Sequence, residues 1–221
     1  MEITWYGLSC FRLVERGSAT VVTDPYDCNE IGGQPLRLPA DIVTISHEAP
    51  TASSIESVTG NPYIITGPGE YEVGSVFITG IQTGGRRAGE DDQGGNPAPQ
   101  TNTLYTIDYN ALTVAHLGDV SRVPSQAEIE ALGTVNVALV PIGSSHGLNA
   151  ARIAEIISML EPNIVIPMHY TPSARGLPLD ALSKFLKEMG LSEAETLPSL
   201  KITSTSLPEE TKVIVLDPQH G

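Results

Sequence analysis

The apolar residues of this chain come in runs of only a few residues, such as Val137-Ala138-Leu139-Val140, and their rhythm changes half-way along. No run approaches the ~20 apolar residues that a membrane-spanning helix needs. In the first half, Ile3–Tyr6, Cys10–Val14, Thr20–Thr23, Ile42–Ile45, Tyr63–Ile65 and Ser75–Ile81 alternate or run apolar between Gly, Ser and Asp breakers. Each reads as a strand. A short helix is expected from about Thr51 to Val58, and Gly67-Pro68-Gly69 reads as a turn, with Glu70 and Glu72 flanking Tyr71 inside it. Leu104–Ile107 and Leu112–Ala115 look like a hairpin joined by Asp108-Tyr109-Asn110-Ala111.

In the second half strands alternate with helices. A helix is expected from Pro124, a favoured first helical residue, to Leu132-Gly133, followed by a strand at Val135–Val140. Asn149 caps a helix to Leu160, in which Ile153, Ile156, Ile157 and Leu160 recur at spacings of three and four. Strand Ile164–Ile166, helix Leu179–Met189 and strands Lys201–Thr205 and Lys212–Leu216 complete the chain. A β-rich half followed by a β/α half implies an α/β fold with sheets in the middle and helices outside.

With 221 residues the chain is long enough for one core and short for two domains, so residues 1–221 are expected to form a single domain. The segment 84–100, GGRRAGEDDQGGNPAPQ, offers only Ala88 and Ala98 as apolar residues and is expected to be a mobile loop or lid. The net charge of −14 argues against a nucleic-acid partner, since each phosphate contact would need a Lys or Arg. No basic segment followed by an apolar stretch opens the sequence, and the two cysteines, Cys10 and Cys28, are too few for a disulfide framework. A cytoplasmic protein without membrane or nucleic-acid partners is the expectation, and its oligomeric state is open.

Five histidines are available: His47, His116, His146, His169 and His220. His47, His116 and His169 each follow a predicted strand, where a rigid scaffold can hold ligand-binding side chains. Asp119 lies three residues after His116, and Gly118 between them permits a tight turn that brings both side chains to one place. Imidazoles with a carboxylate suit zinc or another divalent ion, whereas a single His after a strand is ordinarily a hydrogen-bonded loop residue. His146 follows the strand Val135–Val140 closely enough for its loop to line the same edge, and His220 is a tail residue. Asp91 and Asp92 could reach in only by ordering the 84–100 loop, and Ser144 and Ser145 lack the strand-turn-helix setting of a nucleophile elbow.

The ordered succession Ile3-Thr4-Trp5-Tyr6-Gly7, Thr23-Asp24-Pro25, Ile42 to His47, Gly67-Pro68-Gly69-Glu70-Tyr71, His116-Leu117-Gly118-Asp119 and Ile166-Pro167-Met168-His169-Tyr170 resembles the metallo-β-lactamase superfamily. The branch it is most similar to is that of metal-dependent hydrolases akin to the L-ascorbate-6-phosphate lactonase. The resemblance implies a four-layer αβ/βα sandwich with a metal site at one edge of the two sheets. It also implies a His-x-His-x-Asp-His run, here beginning at His47, whose remaining ligand positions fall on Ala49, Thr51 and Ala52.

The later ligand positions carried over by the resemblance, His116, Asp119 and His169, match, as does Asp24, a carboxylate that braces the site. Three replaced ligands imply an eroded site built from His47, His116, Asp119 and His169. It would hold one zinc or other divalent ion at most, or none, with Asp119 as the catalytic carboxylate and Asp24, Thr51, His146 and Tyr170 around the pocket. Two functions follow from it. One is weak hydrolysis of a small ester, lactone or phosphorylated metabolite. The other is a catalytically inactive relative that binds a small molecule or serves as a structural module. The lactonase-type resemblance is also compatible with a homo-oligomer.

Overall fold

The computed structural model describes residues 1–27, 35–49, 53–83, 101–143, 148–170 and 182–219. Strands β1 (Glu2–Gly7), β2 (Cys10–Val14), β3 (Val21–Thr23), β4 (Leu38–Pro39), β5 (Ile42–Thr44), β6 (Val58–Thr59) and β7 (Tyr63–Ile65) come first. They are followed by β8 (Gly69–Val73), β9 (Val76–Gln82), β10 (Thr103–Asp108) and β11 (Thr113–His116). Then come α1 (Gln126–Leu132), β12 (Val137–Pro141), α2 (Ala150–Leu160), β13 (Ile164–Met168) and α3 (Leu182–Glu188). Three short strands, β14 (Glu195–Leu197), β15 (Leu200–Lys201) and β16 (Lys212–Leu216), end the chain.

Two mixed sheets face each other. The first has the order β15-β1-β2-β3-β5-β7, and the second β14-β16-β13-β12-β11-β10-β9-β8. Successive residues of a strand face opposite sides. Phe11, Leu13, Val21 and Ile42 therefore join the core between the sheets, while Cys10, Val22 and Val43 form a smaller cluster on the outer face of the first sheet. That outer face is covered by the β4–β6 pair and by Tyr26 and Leu36. On the second sheet the parallel strands β11, β12, β13 and β16 are connected through helices, as parallel pairing requires. Ile153, Ile156, Ile157 and Leu160 of α2 are buried, and α2 packs on β12, α1 and α3. The result is the expected sandwich of two sheets with outer layers.

Several local expectations change. Helix α1 begins at Gln126 rather than Pro124, because Ser125 caps it: the Ser125 hydroxyl accepts from the Glu128 amide and the Glu128 carboxylate accepts from the Ser125 amide. Glu70 and Glu72 lie on an edge strand, β8, and not in a turn; they pair with Thr79 and Phe77 of β9. Within the expected helix Thr51–Val58, the described residues form only a single 3-10 turn, Ile55–Ser57, leading into β6. The expected strand Lys201–Thr205 stops at Lys201 and gives way to a 3-10 turn at Ser204–Ser206. The loop 84–100, with Asp91 and Asp92, lies outside the described residues, as do Cys28, Thr51, Ala52, Ser144, Ser145, His146, His220 and the start of the helix expected from Leu179.

Candidate functional site

Each candidate side chain sits where a strand runs out. β3 ends at Thr23, and Asp24 turns the chain with φ +39°. β5 ends three residues before His47, β11 ends on His116, and His169 follows β13 with φ +60°. Leu8, in the turn between β1 and β2, adopts φ +48°. Left-handed backbone costs a residue with a Cβ roughly 1–2 kcal/mol, so three such residues around one edge mark a place that the surrounding fold over-determines.

Asp24 is fully buried. Its carboxylate accepts hydrogen bonds from the Ser46 amide at 2.7 Å and from the Ser46 hydroxyl at 2.6 Å. The same hydroxyl oxygen lies 2.9 Å from Nδ1 of His47. A hydroxyl has one proton to give; committed to Asp24, it leaves His47 Nδ1 as the donor and puts the lone pair of that ring on Nε2. Oδ2 of Asp24 also stands 3.9 Å from His47 Nδ1 and 3.8 Å from His116 Nε2. The buried carboxylate thus sits between two imidazoles, and Ser46 supplies its direct hydrogen bonds.

His116 is reached from the opposite sheet. It pairs with Tyr105 across β10–β11, so both side chains face the first sheet, where the Tyr105 hydroxyl donates to the Ile45 carbonyl at 3.1 Å. His116 Nε2 lies 2.9 Å from the Ser9 carbonyl oxygen. A carbonyl only accepts, so Nε2 carries the proton and Nδ1 the lone pair, which has no partner among the described residues. Burial pushes the His116 imidazole below its ordinary range, against the charge of Asp24 and the Ser9 carbonyl, which pull it up. His169 is lowered in the same way, with Asp119 opposing burial and His47, Asp24 and His116 contributing through their charges. These groups share one edge of the sandwich electrostatically.

Gly118 makes the predicted turn with φ +60°, and a Cβ there would meet Asn102 Oδ1 at 2.3 Å and Ser46 Cβ at 2.6 Å. Asn102, buried, clamps this turn: Nδ2 donates to the Leu117 carbonyl and to Thr83 Oγ1, each at 3.1 Å, and Oδ1 accepts from the Asp119 amide at 2.8 Å. The Asp119 carboxylate keeps Oδ1 buried without a partner among the described residues, as His169 keeps Nδ1.

Beside His47 opens a cleft of about 740 Å³, lined in part by Glu48, Ala49, Ser53, Ile55, Thr66 and Gln82. His116, Asp119 and His169 do not line it. Tyr170 does not either: it is buried and stacks on Trp5 with ring centroids 5.3 Å apart. The structure therefore brings Asp24, His47, His116, Asp119 and His169 to one edge, with the Tyr170 ring buried against Trp5. Ser46, Asn102 and the Ser9 carbonyl were not foreseen. Ser46 stands next to His47 in sequence, which was a usable signal; a backbone carbonyl offers none.

Residues 2–169 match the family model described as the beta-lactamase superfamily domain. The chain belongs to the metallo-β-lactamase superfamily. A Thermotoga maritima protein assigned as a Zn-dependent hydrolase of this superfamily is 31% identical and superposes with a TM-score of 0.77 over 97% of each chain. A UPF0173 metal-dependent hydrolase of Pyrobaculum islandicum is 28% identical over 190 residues, covering 77% of this chain and 84% of that protein. Igni18, a metallo hydrolase of Ignicoccus hospitalis, is 19% identical with a TM-score of 0.61 and shares the fold.

Because such relatives are named for metal dependence, the donors of this superfamily member have to be weighed against an ion. A catalytic zinc is held by three protein ligands and keeps a water. Among the described residues, no three His, Cys, Asp or Glu side chains stand close enough to share one. Ala49 has only a methyl group where the run beginning at His47 would bring a second imidazole. His116 gives Nε2–H to a carbonyl, which leaves Nδ1 as its one free donor atom. The described residues thus show no complete three-ligand set, although His116 Nδ1, Asp119 Oδ1 and His169 Nδ1 are buried there without partners.

Proposed function

We propose that this chain is a metallo-β-lactamase-fold protein whose hydrolytic metal site has eroded, and that it binds a small molecule in the cleft beside His47. One observation carries the reading: among the described residues no three His, Cys, Asp or Glu side chains stand close enough to share an ion. Ala49 adds room beside the cleft instead of a ligand. The test is elemental analysis of protein purified without chelators. Zinc, manganese and iron together should amount to less than a tenth of an equivalent per chain; a full equivalent of any of them overturns the reading.

A second reading, a weak hydrolase with one ion, is favoured by the three unpartnered atoms His116 Nδ1, Asp119 Oδ1 and His169 Nδ1. Buried polar atoms without partners are uncommon and call for an explanation. Melting temperature separates the two, because a ligand that binds only the folded state raises it. A rise with zinc supports the mononuclear hydrolase, and a rise only with an organic small molecule supports the binding protein. Nucleic acid and membranes are poor partners for either: the net charge is −14, and no helix among the described residues is long and apolar enough to cross a bilayer.

A further inference from the structure

We infer that the cleft beside His47 takes an uncharged or cationic, partly apolar small molecule and rejects ligands bearing phosphate or carboxylate. The inference rests on the eroded-site reading and gives its ligand a chemical class. Among the described residues lining the cleft, Glu48 and His47 are the titratable ones, and neither Lys nor Arg is present. Glu48 is exposed, so its carboxylate stands at the rim. His47 offers no Nδ1 proton to a ligand, having given it to Ser46.

Phosphate sites in proteins are made by Arg or Lys forks, by helix N-termini or by a metal. Among the described residues the lining holds no basic side chain and no α-helix start, and no three-ligand set for an ion is in place at this edge. An anion would enter against Glu48 and against the field of a chain with net charge −14, while a cation would be drawn in by both. Ile45, Ile55, Ala49 and Pro68 supply apolar wall, and Ser53, Thr66, Gln82 and Thr101 supply neutral donors and acceptors. That mixture suits an apolar body with one uncharged or cationic polar group.

The experiment is an NMR titration of EDTA-dialysed protein with three probes of one shape: benzyltrimethylammonium, benzyl alcohol and benzyl phosphate. The first two should shift the resonances of His47 and Ile55 saturably, with the cation binding about tenfold or more tighter than the phosphate. Glu48→Gln, a change at an exposed position, should bring the cation down to the affinity of the alcohol. Benzyl phosphate binding as tightly as the cation, no binding by any probe, or an unchanged preference in Glu48→Gln would each overturn the inference. Since the protein is metal-free throughout, these outcomes are independent of the elemental analysis that tests the eroded site.

Discussion

Asn102 holds Asp119 by its backbone and not by its carboxylate: Oδ1 of Asn102 accepts the Asp119 amide at 2.8 Å, while the other end of the same side chain grips the Leu117 carbonyl. The turn that carries Asp119 is thus fixed independently of anything the carboxylate does. Asn102→Ala should strand the Leu117 carbonyl and the Asp119 amide and cost about 3 kcal/mol, since each buried polar group left unpaired costs ~1–3 kcal/mol. Urea unfolding checks this through a lowered midpoint with an unchanged slope.

Gly118→Ala should be about as damaging as any single methyl group in this fold. The added Cβ would sit 2.3 Å from Asn102 Oδ1 and 2.6 Å from Ser46 Cβ, and φ is +60°. Gly190 is the matched control, with φ +72° and nothing within 4 Å of a Cβ. Gly190→Ala should cost only the ~1–2 kcal/mol of left-handed backbone. Gly118→Ala should cost at least twice that, and equal melting temperatures for the two variants would contradict the packing described around Asn102.

Ser46→Ala removes a direct donor to the buried Asp24 carboxylate and the acceptor of His47 Nδ1. A loss of about 2 kcal/mol is expected, because hydrogen bonds to charged groups contribute ~1.5–3 kcal/mol. Nitrogen NMR of the His47 ring gives the sharper readout. The wild-type ring should be protonated on Nδ1, and the variant should lose that preference.

The acid side of the stability profile should carry the signature of Glu128. Hydrogen bonds from Arg122, helped by those from Ser125, bring its carboxyl down to about 2 from the usual 4.5. A carboxyl lowered in the folded state stabilises fully above its unfolded value and loses that contribution as pH falls from about 4.5 toward 2. The pair is partly exposed, so the contribution is at most about 1 kcal/mol. The gap in urea midpoint between wild type and Glu128→Gln should be widest at neutral pH and close between pH 4.5 and 2.

Completing the run that starts at His47 tests the eroded-site proposal directly. On the eroded-site proposal, Ala49→His, Thr51→Asp and Ala52→His together would complete the run that starts at His47, and the triple variant should bind zinc more tightly than the wild type. With zinc at about a hundred times its dissociation constant the folded state gains ~2.7 kcal/mol. A triple variant whose melting temperature ignores zinc would mean that the site has lost more than these ligands.

Much of this arrangement was legible in the sequence because strands ending in His or Asp carry their own punctuation. The runs before His47, His116 and His169 are short and apolar, and Gly118 announced the turn to Asp119. What escaped depends on distant partners. Glu70-Tyr71-Glu72 looks like a turn because it is polar and follows Gly67-Pro68-Gly69, yet an edge strand needs only one partner and tolerates exposed carboxylates. Pro124 signals a helix start, but the capping geometry of Ser125 and Glu128 fixed the boundary after it. Tyr170 follows a candidate ligand in sequence, and the left-handed turn at His169 precedes a ring buried on Trp5. Ser9 acts through its carbonyl, which every residue has.

The turn between β1 and β2 has a consequence for how the two sheets stay joined. The Leu8 carbonyl accepts from the Trp5 indole and from the His169 amide, and the Ser9 carbonyl accepts from the His116 ring, so the first hairpin is stitched to the far sheet at both places where a hydrolase would keep its ligands. Loss of either bond should register as a loosened seam between the two sheets.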